Sequence, residues 1–421
     1  MRDNKNKYRP RIIDRELDET LETFGGVLIT GPKMCGKTWT GMQHSASSVF
    51  MDEGDTLDKA RVSPELVLEG EHPRLIDEWQ LEPRLWDKAR RIIDREHKRG
   101  RFIFTGSAVP GGETAHSGTG RFVHLEMRPM SLYESGDSNG VVSLSGLFEG
   151  KKIKTSPSRM DYKQAVFLIC RGGWPASLWI KKSSALTLPR GYLEMIIETD
   201  LSRLDRIERN PDKVLLLLRS LARNSAATAG ISVILGDIQQ HEVNSLISAD
   251  SIANYINALK RIFVVDEQRA WLPSLRSKTR IRTSPKRHFV DPSLAAAALD
   301  ASPELLVQDP KTAGFLFESL CYRDLTIYAR AIKGTVYHYL DEKGLELDAI
   351  IQLKNGNWAA VEVKLGTYEF NAAAENLFKL QKKMETQVRP PVFLMILTAS
   401  GGAAYTRPDG IHVVPLDCLG A

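Results

Sequence analysis

The chain has 421 residues, 42% of them hydrophobic and 26% charged. That balance fits a folded protein of two or three domains and excludes a mostly disordered chain. Lys and Arg number 57 against 52 Asp and Glu, a net charge of +5 that permits a nucleic-acid partner without demanding one.

The four cysteines, Cys35, Cys170, Cys321 and Cys418, form no CxxC pair. They fit reduced thiols better than a disulfide framework or a zinc site. The charged N-terminus carries no apolar signal core, and the longest apolar runs, 214–218 and 390–399, fall far short of a membrane span. A soluble, cytoplasmic protein with no membrane partner is expected.

In chain order, the first element is an apolar run at Val27–Thr30, bounded by Gly25, Gly26 and Gly31, which reads as a buried strand. Arg74–Ile76 and Phe102–Thr105 read as two more, with helical spacing of Trp86, Ala89, Arg90 and Ile93 between them. Strands alternating with helices predict an α/β domain with a parallel sheet covered on both faces, over residues 1–155. Gly111–Gly120 reads as a mobile loop, and the polar, lysine-bearing segment Ser135–Ser158 as a linker or peripheral hairpin.

Residues 156–305 are mainly helical in pattern. Leu193, Ile196, Ile197 and Leu201 recur at helical spacing, as do Val214, Leu217, Leu218 and Leu221. Ser248–Lys260 presents Ile252, Tyr255, Ile256 and Leu259 on one face, and the strand-like run Ile262–Val265 follows. With the basic stretch beyond, this order resembles a winged helix. Residues 306–421 alternate again: a helix over Gly314–Tyr328, a strand at Val336–Leu340, a β-hairpin of Asp348–Leu353 and Trp358–Leu365, a helix over Ala372–Met384 and a strand at Val392–Leu397.

Two sets of residues carry chemistry. Gly31, Pro32, Lys33, Met34, Cys35, Gly36, Lys37 and Thr38 fit the phosphate-loop pattern G-x-x-x-x-G-K-[ST], between a predicted strand and a helix opening at Trp39. In such a loop backbone N–H groups surround phosphate oxygens, Lys37 neutralises the β/γ charge and Thr38 places its hydroxyl on Mg²⁺. Asp77 and Glu78, ending the next apolar strand, complete the reading: Asp77 beside the Mg²⁺, Glu78 polarising the attacking water. At the end of the third strand either Ser107, the favoured residue, or Thr105 touches the γ-phosphate or the lytic water, or both belong to a plain turn. Arg121 is either a surface arginine or an arginine finger supplied to a neighbouring subunit of a homo-oligomer.

The second set is spread over the last domain. Glu318 lies on a helix, Asp348 opens a strand, and Glu362 and Lys364 share one face of the next strand. Asp348 and Glu362 suit a divalent metal, and Lys364 suits orienting or activating water. The same residues equally read as an exposed strand face with a surface pair. The metal reading requires an odd-length loop or a bulge in the hairpin, because a two-residue turn would point Asp348 to the wrong face. Upstream, Arg276, Lys278, Arg280, Arg282, Lys286 and Arg287 fall in an acid-free run from Leu272 to Val290, flanked by Trp271 and His288, which suits contact with DNA phosphates; the other reading is a solvated basic loop, or one that pairs with acids elsewhere in the chain.

Taken together, the motifs resemble a known architecture. The phosphate loop, Leu75-Ile76-Asp77-Glu78, Phe104-Thr105-Gly106-Ser107, Gly120-Arg121, Leu125–Pro129, Gly172-Gly173-Trp174-Pro175, His288–Asp291, Gly314–Glu318, Asp348 and Glu362-Val363-Lys364 resemble the prokaryotic proteins that join an AAA-type P-loop domain (the AAA domain 14 group) to a DUF4143 region. The resemblance implies ATP and Mg²⁺ as cofactors. It also implies a C-terminal domain similar to the PD-(D/E)xK, restriction-endonuclease-like fold, with Glu318, Asp348, Glu362 and Lys364 on its motif. The expected function is ATP hydrolysis coupled to DNA binding or to metal-dependent DNA cleavage. The alternative is a nucleotide-dependent switch whose nuclease-like domain binds DNA or a protein without cutting.

Overall fold

A computed structural model of the protein describes residues 8–107, 118–201, 210–242, 247–273 and 284–421. The chain forms two compact units. One runs to Pro129 and includes Arg261–Phe263; the other comprises Met130–Lys260 and Val264–Ala421.

The first unit is built on a five-stranded sheet. Its strands are β1 (Gly26–Thr30), β2 (Ser47–Phe50), β3 (Arg74–Asp77), β4 (Phe102–Gly106) and β5 (Phe122–Glu126), in the order β2-β3-β4-β1-β5. Every pairing is parallel, so the sheet needs cover on both faces. Helices α1 (Ile13–Thr23), α2 (Lys37–Gln43) and α3 (Arg84–Glu96) belong to this unit. Strand alternation sends Leu28, Ile76 and Phe104 into one core with Trp79, Trp86 and Ile93. It sends Val27, Ile29, Leu75 and Ile103 into another with Leu17 and Leu21. In the first of these Trp86 stacks on Phe122 at 4.2 Å and meets Phe104 edge-on at 5.7 Å, geometries that aromatic quadrupoles favour. The predicted strands and the α3 helix are therefore present. The short strands β2 and β5, only partly buried, carried no apolar run long enough to mark them.

The second unit opens with helices, among them α4 (Tyr162–Arg171), α5 (Pro211–Arg223), α6 (Ile231–His241) and α7 (Ala249–Arg261). The expected apolar face of α5 is buried: Val214, Leu217, Leu218 and Leu221. After α7 comes an antiparallel pair, β8 (Val265–Gln268) with β9 (Lys286–Phe289). Then follow α8 (Pro310–Ala331), β10 (Gly334–Leu340), β11 (Glu346–Leu353), β12 (Trp358–Lys364), α9 (Phe370–Met384), β13 (Leu394–Thr398), β14 (Ala403–Thr406), β15 (His412–Pro415) and β16 (Leu419–Gly420).

The segment Ser135–Ser158 is not a linker. Its β6 (Val142–Ser143) pairs with β16, and its β7 (Ser156–Pro157) pairs with β14, completing a mixed sheet in the order β10-β11-β12-β13-β15-β14-β7. Two-residue strands have no periodicity to read; they exist because a distant sheet edge offers them partners. A core of Trp271, Tyr339, Ile350, Trp358, Ala360, Leu377 and Ile396 fills the space between this sheet and α9. Trp271, expected beside the basic stretch, is buried here with its Nε1 donating to Gln352 Oε1 at 3.1 Å.

The glycine-tryptophan motif finds its role in this unit. Gly173 N donates to Asp291 Oδ2 at 2.9 Å, and the buried Trp174 donates through Nε1 to Ser293 Oγ at 2.9 Å. Arg323, fully buried on α8, donates to Asp291 at 2.7 Å and to Asp324 at 2.7 Å. Gly172, at φ 73°, leaves no room for a Cβ, which would stand 2.4 Å from Ser293 Oγ. Two motifs more than 100 positions apart are thus one satisfied polar junction. Among the described residues no helix is long and apolar enough to cross a membrane.

Candidate functional site

Parallel pairing brings the C-terminal ends of β1, β3 and β4 to one edge, with Thr30 beside Gly106 and Asp77 beside Thr105. Ligands of open α/β sheets bind at this edge. The loop that leaves β1 turns at Gly31 and Gly36. A Cβ on Gly31 would stand 2.1 Å from Met127 O, and Gly36 holds φ 104°, so neither position tolerates a side chain without strain. Pro32 is buried, Lys33 half-buried and Met34 exposed. The side chain of Cys35 turns inward, Sγ 3.8 Å from Met127 O, so what Cys35 offers the loop is its backbone.

Lys37 is 6% exposed, and its Nζ donates to Gly31 O at 3.0 Å and to Pro32 O at 2.8 Å. Thr38 Oγ1 donates to Asp77 Oδ1 at 3.0 Å, and Thr105 Oγ1 donates to the same carboxylate. Burial raises the Asp77 pKa, against the two hydroxyl hydrogen bonds that lower it. Glu78 stands next in chain in the left-handed region, φ 52°, a costly conformation for a residue with a Cβ. Burial and then the charge of Asp77 raise its pKa, while Gln80 donates to it. Trp39, next to Thr38, is 40% exposed.

The structure therefore brings together Lys37, Thr38, Asp77, Glu78 and Thr105. Ser107 follows β4 at the same edge, one position beyond Gly106. Arg121 is not brought there. It precedes β5 at the opposite end of the strands, where its carbonyl accepts from Gly26 N, and its Nε donates to Asp94 Oδ1 at 2.7 Å. Residues 108–117, which hold most of the segment expected to be a mobile loop, lie outside the described residues.

Two further residues support the phosphate loop without a sequence signal. Arg11 is buried and donates through Nη1 to Cys35 O at 2.8 Å and through Nη2 to Arg128 O at 2.8 Å. Tyr8 Oη lies 2.9 Å from Thr40 Oγ1 and donates to Asp14 at 2.7 Å. Nothing in the local pattern before β1 marks either residue, because each partner lies on another element.

The hydroxyl of Thr38 beside the carboxylate of Asp77 suits Mg²⁺, which takes hard oxygens and keeps its remaining positions for water and substrate phosphate. Among the described residues no group of three or more His, Cys, Asp or Glu side chains is arranged to hold a metal without such help.

In the second unit the β11–β12 hairpin pairs Gln352 with Trp358 and Ala349 with Val361. Leu353 N donates to Asn357 O at 2.8 Å, which leaves Lys354, Asn355 and Gly356 as a three-residue loop. The odd loop sets Asp348 opposite Glu362, on the face shared with Lys364. Lys364 Nζ lies 2.9 Å from Glu362 Oε2 and 3.8 Å from Asp348 Oδ2. Burial opposes the charge on Lys364, but Asp348 and Glu362 hold its pKa above that of an ordinary lysine.

The basic stretch divides. Arg276, Lys278, Arg280 and Arg282 lie outside the described residues. Lys286, read as a phosphate contact, is 1% exposed and stands among acids: Glu318 at 2.6 Å, Glu346 at 2.7 Å and Asp348 at 3.7 Å. Arg287 donates to Ala229 O and pairs with Glu267 at 3.5 Å. Neither is a free surface cation. Strand period explains it: Lys286 and His288 share one face of β9 and both point inward. Burial raises the Glu318 and Glu362 carboxyl pKa values, with the neighbouring lysines pulling the other way.

Residues 24–136 match an AAA domain, residues 162–305 a domain of unknown function (DUF8612), and residues 313–419 a domain of unknown function (DUF4143). The N-terminal unit has the fold and the loop of an AAA-type P-loop ATPase. The chain is similar to two uncharacterized mycobacterial proteins, Rv2008c of Mycobacterium tuberculosis and Mb2031c of Mycobacterium bovis. Each is 24% identical over 345 residues, covering 80% of this chain and 70% of the relative. Among solved structures, the Walker-type ATPase PABY2304 of Pyrococcus abyssi aligns at 13% identity over 68% of this chain and 94% of that one, with a TM-score of 0.40. The ORC1 protein of Aeropyrum pernix, solved in complex with DNA, aligns at 12% identity over 70% of this chain and 91% of that one, with a TM-score of 0.24.

Proposed function

We propose that this protein hydrolyses ATP with Mg²⁺ in its first unit and that the nucleotide state governs DNA binding by its second, which does not cut. The convergence of Thr38, Asp77 and Thr105 beside Lys37 and Glu78, at the strand ends that follow a phosphate loop, carries the ATPase reading. Lys37 leaves its two loop carbonyls to meet the β- and γ-phosphates. Thr38 and Asp77 would hold a Mg²⁺, which would supply charge neutralisation on the phosphate oxygens. Glu78, as the carboxylate, accepts the proton of the water that attacks the γ-phosphorus as the bond to the departing ADP oxygen breaks. Gln80 donates to that carboxylate and so orients it.

The run of α8, β10, β11, β12, α9 and β13, with Glu318, Asp348, Glu362 and Lys364 in order, supports a nuclease-like ancestry for the second unit. Cutting would require a metal on those carboxylates. The oxygens are of the right type, but the Lys286 ammonium stands among them, so binding without cleavage is the reading we adopt. The acid-free sequence with Arg276, Lys278, Arg280 and Arg282 supports DNA as the ligand.

The test measures ATP hydrolysis and the salt dependence of duplex DNA binding with the same preparation, with and without ATP. Arg280→Ala with Arg282→Ala should lower the slope of log affinity on log salt by about 2. Unchanged slope and affinity overturn the DNA assignment. Plasmid cleavage with Mg²⁺ or Mn²⁺ that disappears in Lys364→Ala overturns the non-cutting reading.

A further inference from the structure

Ammonium groups of the chain already stand among the carboxylates of the second unit. The Lys286 ammonium donates to Glu318 Oε1 at 2.6 Å, pairs with Glu346 Oε1 at 2.7 Å and stands 3.7 Å from Asp348 Oδ1, too far for a hydrogen bond but close enough for a charge contact. The other Asp348 oxygen accepts from Val363 N at 2.7 Å, with Lys364 at 3.8 Å. Glu362 is taken at Oε2 by Lys364 and at Oε1 by Asn376 Nδ2, 3.3 Å away.

Lys286 is also not free to swing out. Its backbone pairs with Gln268, whose side-chain amide donates to Tyr337 O at 3.0 Å and to Asp348 O at 2.8 Å, so β8, β9, β10 and β11 are fastened together around it. A divalent ion bound by Glu318 and Asp348 would lie beside this ammonium with almost no water between them. Like charges at such range repel strongly where burial removes screening.

We propose that Lys286 is the built-in cation of this site: its ammonium takes the place of a divalent metal among Glu318, Glu346 and Asp348, and the second unit is held together there without a metal. The inference rests on reading the second unit as a nuclease-like fold that does not cut, and it says why cutting is absent. The charge that a metal would supply at the centre of the carboxylates comes from the chain itself and cannot be removed by a chelator. The strand that carries it is thereby pinned to α8 through Glu318 and to β11 through Glu346 and Asp348.

The experiment titrates the full-length, nucleotide-free protein with Mn²⁺, read by the electron paramagnetic resonance of the free ion. The parent and Glu318→Gln should bind Mn²⁺ alike, because no site depends on Glu318. Lys286→Met removes the ammonium at near-constant volume. It should acquire Mn²⁺ binding tighter than the parent's by about tenfold or more, and Mn²⁺ should raise its melting temperature more than the parent's. A Mn²⁺ ion bound by the parent and lost in Glu318→Gln or Glu362→Gln overturns the proposal. That comparison does not depend on whether Lys286→Met folds. A failed ATPase or DNA-binding assay leaves this titration unaffected, so the two readings fail separately.

Discussion

Replacing Lys37 by alanine removes the one ammonium that the phosphate loop holds ready for its ligand. That group donates to the carbonyls of Gly31 and Pro32 and is nearly closed off from solvent. On binding it exchanges those neutral acceptors for phosphate oxygens, and the gain is that of hydrogen bonds to a charged partner. Such bonds contribute about 1.5–3 kcal/mol each, and removing one should weaken ATP binding roughly 10- to 150-fold. The two loop carbonyls are buried and lose their donor in the variant, so a loss of about 1–3 kcal/mol in fold stability is also expected, and ATP affinity is compared at a temperature where the variant is folded. Isothermal titration with ATP gives the dissociation constant, and a thermal melt of the same sample reports whether the fold is intact. A folded Lys37→Ala protein that binds ATP as tightly as the parent would refute the assignment of the loop.

Three further outcomes follow from the geometry. Glu78→Gln should keep ATP binding and lose about 10²- to 10⁴-fold in turnover, and a glutamine variant that turns over ATP at the parent's rate would remove Glu78 from the mechanism. Arg11→Ala strips the shared donor from the Cys35 and Arg128 carbonyls, so the first unit should lose about 1.5–3 kcal/mol in urea unfolding, and no loss would mean that the bridge is idle. Lys286→Met, without added metal, leaves the largely buried Glu318 unpaired and should cost about 3 kcal/mol by the same measurement, whereas parental stability would show that this ion pair contributes nothing.

How much could be read in advance depended on the range of the interaction. The phosphate loop, the Asp77-Glu78 pair at the end of an apolar strand and the alternation that put Glu362 and Lys364 on one face are local, and the residues themselves display them. The odd hairpin loop was a condition deduced from register, and the three-residue turn meets it. Sequence could not show that Thr105 donates to Asp77, because that contact comes from the parallel register of two strands 28 positions apart.

The amino-acid order by itself determined the parallel sheet of the first unit, the loop chemistry and the acid–lysine set of the last strands, because hydrophobic period and motif spacing act over a few residues. Only the tertiary structure decided that Lys286 turns from an apparent basic wing into the centre of four strands and a helix. It also decided that Arg11 braces the phosphate loop, and that residues 142–143 and 156–157 are sheet strands. In each case the partner is remote in sequence. A charge's role is set by the dielectric and the acids around it after folding, and a two-residue strand exists only where another edge supplies its hydrogen bonds.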